Sequence, residues 1–143
     1  LRVDDDKAQI AEVLIRYATG IDAKDWPLLR TCWTDEVDID YGDLGHFTNA
    51  DEFTALMTQI HDGMGQTYHR ISNLVIKVDG DRATARSYVH ALLMAMRGDS
   101  SSWVDALGHY DDELVRTPDG WRIDKRTTHI ARVLSGADAG AGP

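Results

Sequence analysis

Residues 67–96 read TYHRISNLVIKVDGDRATARSYVHALLMAM, and this stretch decides the fold. Two apolar-rich runs, Thr67–Val78 and Arg82–Met96, flank Asp79-Gly80-Asp81. Asp-Gly tolerates the positive φ of a tight turn, so the stretch predicts two long antiparallel strands. Trp103–Arg116 and Trp121–Val133, flanking Thr117-Pro118-Asp119-Gly120, predict a second hairpin of the same kind. Upstream the pattern is helical. Ile10, Val13, Leu14, Tyr17, Ala18 and Ile21 make one apolar stripe, and Asp4–Asp6 lie where a helix N-terminus favours negative charge. A short second helix is expected after Asp25 as N-cap, with Pro27 in its first turn and Leu28, Leu29 and Cys32 inward. EVDIDYG, residues 36–42, alternates like a strand. Thr48 or Asn49 caps a third helix, with Asp51 and Glu52 in its first turn and Phe53, Leu56, Met57 and Ile60 on one face; Gly63 and Gly65 end it. Helices first and a long-stranded meander afterwards mean an α+β fold, not a parallel α/β sheet. A curved sheet wrapped round the first helix closes such a chain and leaves a conical pocket.

The 143 residues suit one domain, read as 1–134, with the biased end SGADAGAGP, 135–143, as a mobile tail. With 43% hydrophobic and 27% charged residues the chain reads as a soluble globule. A net charge of −9 without a Lys/Arg cluster excludes a nucleic-acid partner, since phosphates demand a basic footprint. One cysteine, Cys32, rules out an internal disulfide and suits a reducing cytoplasm. No apolar run reaches the roughly 18 residues of a membrane span and no signal peptide is visible, so the expected location is cytoplasmic, with no membrane partner.

Asp22 ends the first helix and His69 opens the first long strand. A carboxylate at a helix C-terminus opposes the macrodipole, so propensity does not explain Asp22. Paired with His69, it would fix the imidazole tautomer and make the ring a base able to take a proton near neutral pH. Tyr17 sits on the apolar stripe, where it is either plain core or a phenol that stabilises developing enolate charge. Arg126 follows Trp121 by five residues; strict alternation puts it on the face opposite Trp121 and Ile123, unless a bulge intervenes. His90, mid-strand, is a pocket candidate set against a satisfied core histidine. Tyr41 and Trp33 are candidates for the pocket wall, with core packing the simpler role. His46, His61, His109 and His129 read as structural or surface. There is no H-E-x-x-H, no C-x-x-C pair, no compact His/carboxylate cluster and no phosphate-binding glycine loop, so neither a metal nor another cofactor is expected.

The order of helix, Asp22, His69, long hairpin and Trp-containing last strand resembles the SnoaL-like branch of the NTF2-like cone fold, over roughly Ala8 to Arg132. That branch includes scytalone dehydratase, bile-acid dehydratases and hexachlorocyclohexane dehydrochlorinase. Tyr68-His69-Arg70-Ile71-Ser72-Asn73 is similar to their catalytic-histidine segment, which implies that His69 removes a proton while Asp22 orients it. Arg16-Tyr17 resembles the start of ketosteroid isomerase, and the spacing of Tyr17 and Asp22 resembles the bile-acid dehydratases. The dehydrochlorinase has a lysine where this chain has Tyr17, so dehalogenation is disfavoured. The resemblance implies catalytic roles for His69, Asp22, Tyr17 and Arg126, and a substrate contact for His90; Tyr41 and Trp33 remain candidates for substrate contacts from their aromatic character alone. The implied activity is a cofactor-independent lyase, a dehydratase acting on a hydrophobic, ring-bearing hydroxylated compound. An isomerase or polyketide cyclase is the close alternative, and a non-catalytic ligand-binding or structural subunit is the alternative of another class. Trp103, Trp121 and Ile123, placed on an outer sheet face, predict a homo-oligomer. The resemblance favours a trimer over a dimer.

Overall fold

The computed structural model describes Arg2–Asp138. Helix α1 runs over Arg2–Asp22, α2 over Trp26–Arg30 and α3 over Ala50–His61. The strands are β1 (Trp33–Asp40), β2 (His46–Phe47), β3 (Thr67–Asp79), β4 (Arg82–Met96), β5 (Asp99–Thr117) and β6 (Gly120–Ala137). They form one sheet in the order β2-β1-β6-β5-β4-β3, antiparallel except for the parallel pair β1–β6. This is an α+β fold, its helices packed on a curved, mainly antiparallel sheet.

The caps act as read: the Asp25 carboxylate accepts from the Leu28 amide, and Asn49, not Thr48, accepts from Asp51 and Glu52. Gly80 takes φ 61° at the β3–β4 turn. A third turn, with Gly98 at φ 75°, joins β4 to β5 and starts β5 four residues before Trp103. β6 runs on to Ala137, into the stretch expected to be a tail; residues 139–143 of that tail lie outside the described residues.

The concave face of the sheet holds α1. Ile10, Leu14, Tyr17 and Ile21 are fully or almost fully buried with Trp33, Phe53, Leu114 and Ile123. Each such aliphatic side chain contributes about 1.5–3 kcal/mol by leaving water. Two bulges keep this face apolar. One extra residue in β3, near Asn73 at φ 52°, brings Leu74, Ile76 and Val78 to the face that already carries His69 and Ile71. Another, at Asp124, shifts the β5–β6 register between Leu114↔Ile123 and Glu113↔Lys125. It turns Arg126 onto the same concave face as Trp121 and Ile123, against the strict alternation expected. Trp121 and Ile123 are 2% and 0% exposed, so they are core and not outer-face residues.

Candidate active site

Asp22 and His69 meet where the end of α1 crosses the start of β3. The Asp22 Oδ1 lies 2.7 Å from His69 Nδ1, and Oδ2 accepts the His69 main-chain N–H at 2.8 Å. The Thr67 hydroxyl donates to Oδ1 at 2.9 Å, and the Gln66 amide caps the Asp22 carbonyl at 3.2 Å. These donors offset the placement of a carboxylate at a helix C-terminus. A carboxylate can only accept here, so the neutral ring carries its proton on Nδ1 and leaves the Nε2 lone pair free. The His69 side chain is 8% exposed, which protects the pair from competing water without sealing it.

Tyr17 stands beside His69, ring centroids 6.5 Å apart and edge-on. Its hydroxyl shares a 2.7 Å hydrogen bond with that of Tyr41, which is only half-buried and so forms the outer end of the pair. Burial pushes the Tyr17 and Tyr110 phenols well above their ordinary range, keeping both protonated. Beneath them Arg126 lies 3.8 Å from the Tyr110 ring centre and 4.4 Å from that of Tyr17. Its guanidinium makes a two-pronged pair with Asp112 at 2.7 and 2.8 Å, both side chains buried. That pairing keeps Arg126 charged. Its Nη1, like Trp33 Nε1, has no hydrogen-bond partner among the described residues.

The fold therefore gathers Asp22, His69, Tyr17, Tyr41, Arg126 and Trp33 on one side of the sheet. Tyr17 and Trp33 are fully buried, Trp33 packing edge-on against Phe53 and Tyr17, so in this packing Trp33 is core and not pocket wall. His90 is corrected outright. It alternates with the buried Val89 and Ala91, so it occupies the convex face, where its Nε2 meets Asp105 at 2.8 Å.

Two further features border the dyad. His61 closes the α3 stripe four residues after Met57, whose carbonyl accepts from its Nδ1 at 2.8 Å. Burial pushes the His61 imidazole down, so it stays neutral near the dyad. The second feature is an apolar shelf. The register places His69, Ala91, Ala106 and Val133 side by side across four strands on the concave face. Leu93 and Val104 lie one step away on the same face, and Ile130 on the other side. Val133 is 57% and Ile130 48% exposed, so this shelf is open beyond the end of α1. No run of residues announces it, because it exists only through cross-strand register. A separate cleft of about 430 Å³ touches Asp22 and is lined by Lys24, Gln66 and Arg97 among others. Polar side chains thus flank Asp22 on this side, with Met64 beside them.

The SnoaL-like domain family matches residues 3–127. The protein Rv2910c of Mycobacterium tuberculosis, itself uncharacterized, is 31% identical over 122 residues, 85% of this chain and 82% of its own. Kfla4162 of Kribbella flavida superposes with a TM-score of 0.85 at 29% identity, covering 92% of this chain and 95% of that one. A scytalone dehydratase candidate from Novosphingobium aromaticivorans has a TM-score of 0.80 over 96% of this chain and 94% of its own; at 18% identity it speaks for the fold alone.

Proposed function

We propose, from the premise that the chain belongs to the SnoaL-like family, that it is a cofactor-independent lyase. Its reaction is the dehydration of a neutral, ring-bearing compound with a hydroxyl β to a carbonyl. The observation that carries this reading is the double grip of Asp22 on the backbone and ring of His69. His69 Nε2 takes the proton α to the carbonyl, and Asp22 stabilises the imidazolium that forms. The Tyr41 hydroxyl, backed by Tyr17, donates to the carbonyl oxygen as charge builds there. The imidazolium then returns its proton to the departing hydroxyl, which leaves as water. The shelf of Ala91, Ala106, Ile130 and Val133 suits a flat apolar ring system, since small residues nearest His69 leave room above it. A double-bond shift or ring closure begins with the same proton transfer, so isomerase or cyclase activity uses the same groups.

The test is deuterium uptake. Cyclic and aromatic β-hydroxy carbonyl compounds are incubated with the protein in D2O after exhaustive chelation. Exchange at the α carbon with loss of water supports the lyase; exchange with a double-bond shift supports the isomerase. Exchange that continues in His69→Ala would move the chemistry elsewhere. One observation favours a non-catalytic module instead: Tyr17, Trp33 and Arg126 are packed with almost no exposed surface. A ligand that binds the shelf without any exchange would support that reading.

A further inference from the structure

On the convex face, away from the dyad, β5 and β6 bring together three side chains that the proposed reaction does not use. His109 and His129 are directly paired across the two strands, and Asp111 lies two residues along from His109 on the same face. One metal-ligating atom from each falls within 4.8 Å of the others. The sequence gives no compact His/carboxylate cluster, because His129 joins the other two only through strand pairing.

We propose that His109, Asp111 and His129 form a binding site for a borderline divalent cation of the zinc type. Two imidazoles with one carboxylate are a ligand set that such ions prefer and that magnesium and calcium do not. The distances to the carboxylate are close to those a bound ion would need. A tetrahedral ion with ligands about 2.0–2.1 Å away holds its ligand atoms roughly 3.3 Å apart. His129 Nε2 is 3.2 Å and His109 Nε2 3.7 Å from the same oxygen, Asp111 Oδ2. Both distances are longer than the roughly 2.7–2.9 Å of a good charge-assisted hydrogen bond. The two rings stack with centroids 4.5 Å apart, so both stand on the same side of the Asp111 carboxylate.

Two further features fix this geometry. Arg86 grips the Asp111 carboxylate through Nε at 2.7 Å and Nη2 at 3.0 Å, orienting it as outer-shell partners orient metal-bound carboxylates. A β-bulge lies immediately beside the histidine pair, between Leu107 and Gly108. There a Cβ on Gly108 would sit 2.1 Å from the His129 carbonyl oxygen, so only glycine permits this approach of the strands.

The experiment titrates ZnCl2 into the chelator-treated full chain, by calorimetry and by ¹⁵N NMR of the imidazoles. One zinc per chain is expected, with the His109 and His129 ring resonances moving together and those of His69 unmoved. The replacements His109→Gln and His129→Gln are at least partly exposed at the surface and leave the core untouched. Each should weaken binding by more than the roughly tenfold that losing even an outer-shell partner costs. The double variant should retain no stoichiometric site, although His46 remains beside Asp38 and His90 beside Asp105. Equal zinc affinity in wild type and double variant would overturn the proposal. So would His109 and His129 resonances that stay still at one equivalent.

Discussion

Asp22 holds His69 twice, accepting its main-chain N–H at 2.8 Å through one oxygen and its ring Nδ1 at 2.7 Å through the other. The backbone bond sets where β3 begins relative to the end of α1, and the ring bond then sets which way the imidazole faces. Orientation is thus tied to the fold, so the base needs no ligand to be aligned.

Replacing the two members should separate these roles. His69→Ala removes the base and should cut α-proton exchange by about 10²–10⁴-fold while the melting curve stays close to wild type. Asp22→Asn keeps the shape but can present only one carbonyl oxygen to three donors. It should lose both activity and stability, the latter by about 1–3 kcal/mol for a buried donor left unpaired. Parallel exchange assays and urea denaturation check both. An Asp22→Asn protein as active as wild type would remove Asp22 from the mechanism.

Elements were legible where a local rule governs them. The α1 stripe, the Asp25 and Asn49 caps and the Asp-Gly turn each depend on residues within one turn of chain. Asp22 and His69 stood out because the first sits badly at a helix end and the second matches a family segment. What sequence could not give is register. Arg126 changed faces because of one extra residue at Asp124, and the shelf and the His109–His129 pair are products of strand pairing at long range. His90 failed for the opposite reason: simple alternation from its apolar neighbours already sends it outward.

The shelf can be tested by filling it. Ala106 neighbours Ala91, which neighbours His69, so Ala106→Phe projects a ring across the space proposed for substrate. It should raise KM at least severalfold for multi-ring compounds and leave small single-ring compounds nearly unaffected. A uniform loss of kcat for both sizes would place the substrate elsewhere.

Asp6 governs an acid limb of stability. Arg116 binds its carboxylate through two 2.8 Å bonds and Trp121 Nε1 adds a third at 3.2 Å, tying the start of α1 to the second hairpin. These donors, the Arg116 bond foremost, lower its pKa to about 2. A depressed folded value means that the stabilisation is complete above the ordinary carboxylate value of about 3.9, and is lost as pH falls through about 2. Asp6→Asn should therefore lower the melting temperature at pH 6 and flatten its dependence between pH 4 and 2. A variant with the wild-type slope in that window would assign the acid limb to other carboxylates.

Tyr68, Tyr88, Leu107 and Leu134 are each about half exposed on the convex face, in place of the Trp121 and Ile123 expected there. We expect this face to join copies of the chain, with a trimer favoured. Light scattering at micromolar concentration should report the oligomer, and Leu107→Lys with Leu134→Lys should shift it toward monomer. A wild-type monomer would refute the association, and a dimer only the trimer.

The Arg126–Asp112 pair makes the sharpest energetic prediction. Both side chains are essentially out of reach of water, so each ion has lost its hydration and depends on the other. Arg126→Met leaves an unpaired carboxyl under the Tyr17 and Tyr110 rings and should cost about 3–5 kcal/mol, read from urea denaturation. Adding Asp112→Leu removes the orphan and should recover most of that loss, since an apolar pair of similar volume fills the space without a desolvation cost. Activity distinguishes a structural pair from a catalytic one. If Arg126 only underpins Tyr17 and Tyr110, the double variant regains stability and most of its α-proton exchange together. If its charge steadies the oxyanion through the phenols, stability returns while kcat stays low and KM barely changes. A single Arg126→Met protein as stable as wild type would show that the buried pair contributes nothing, and would remove the basis for both outcomes.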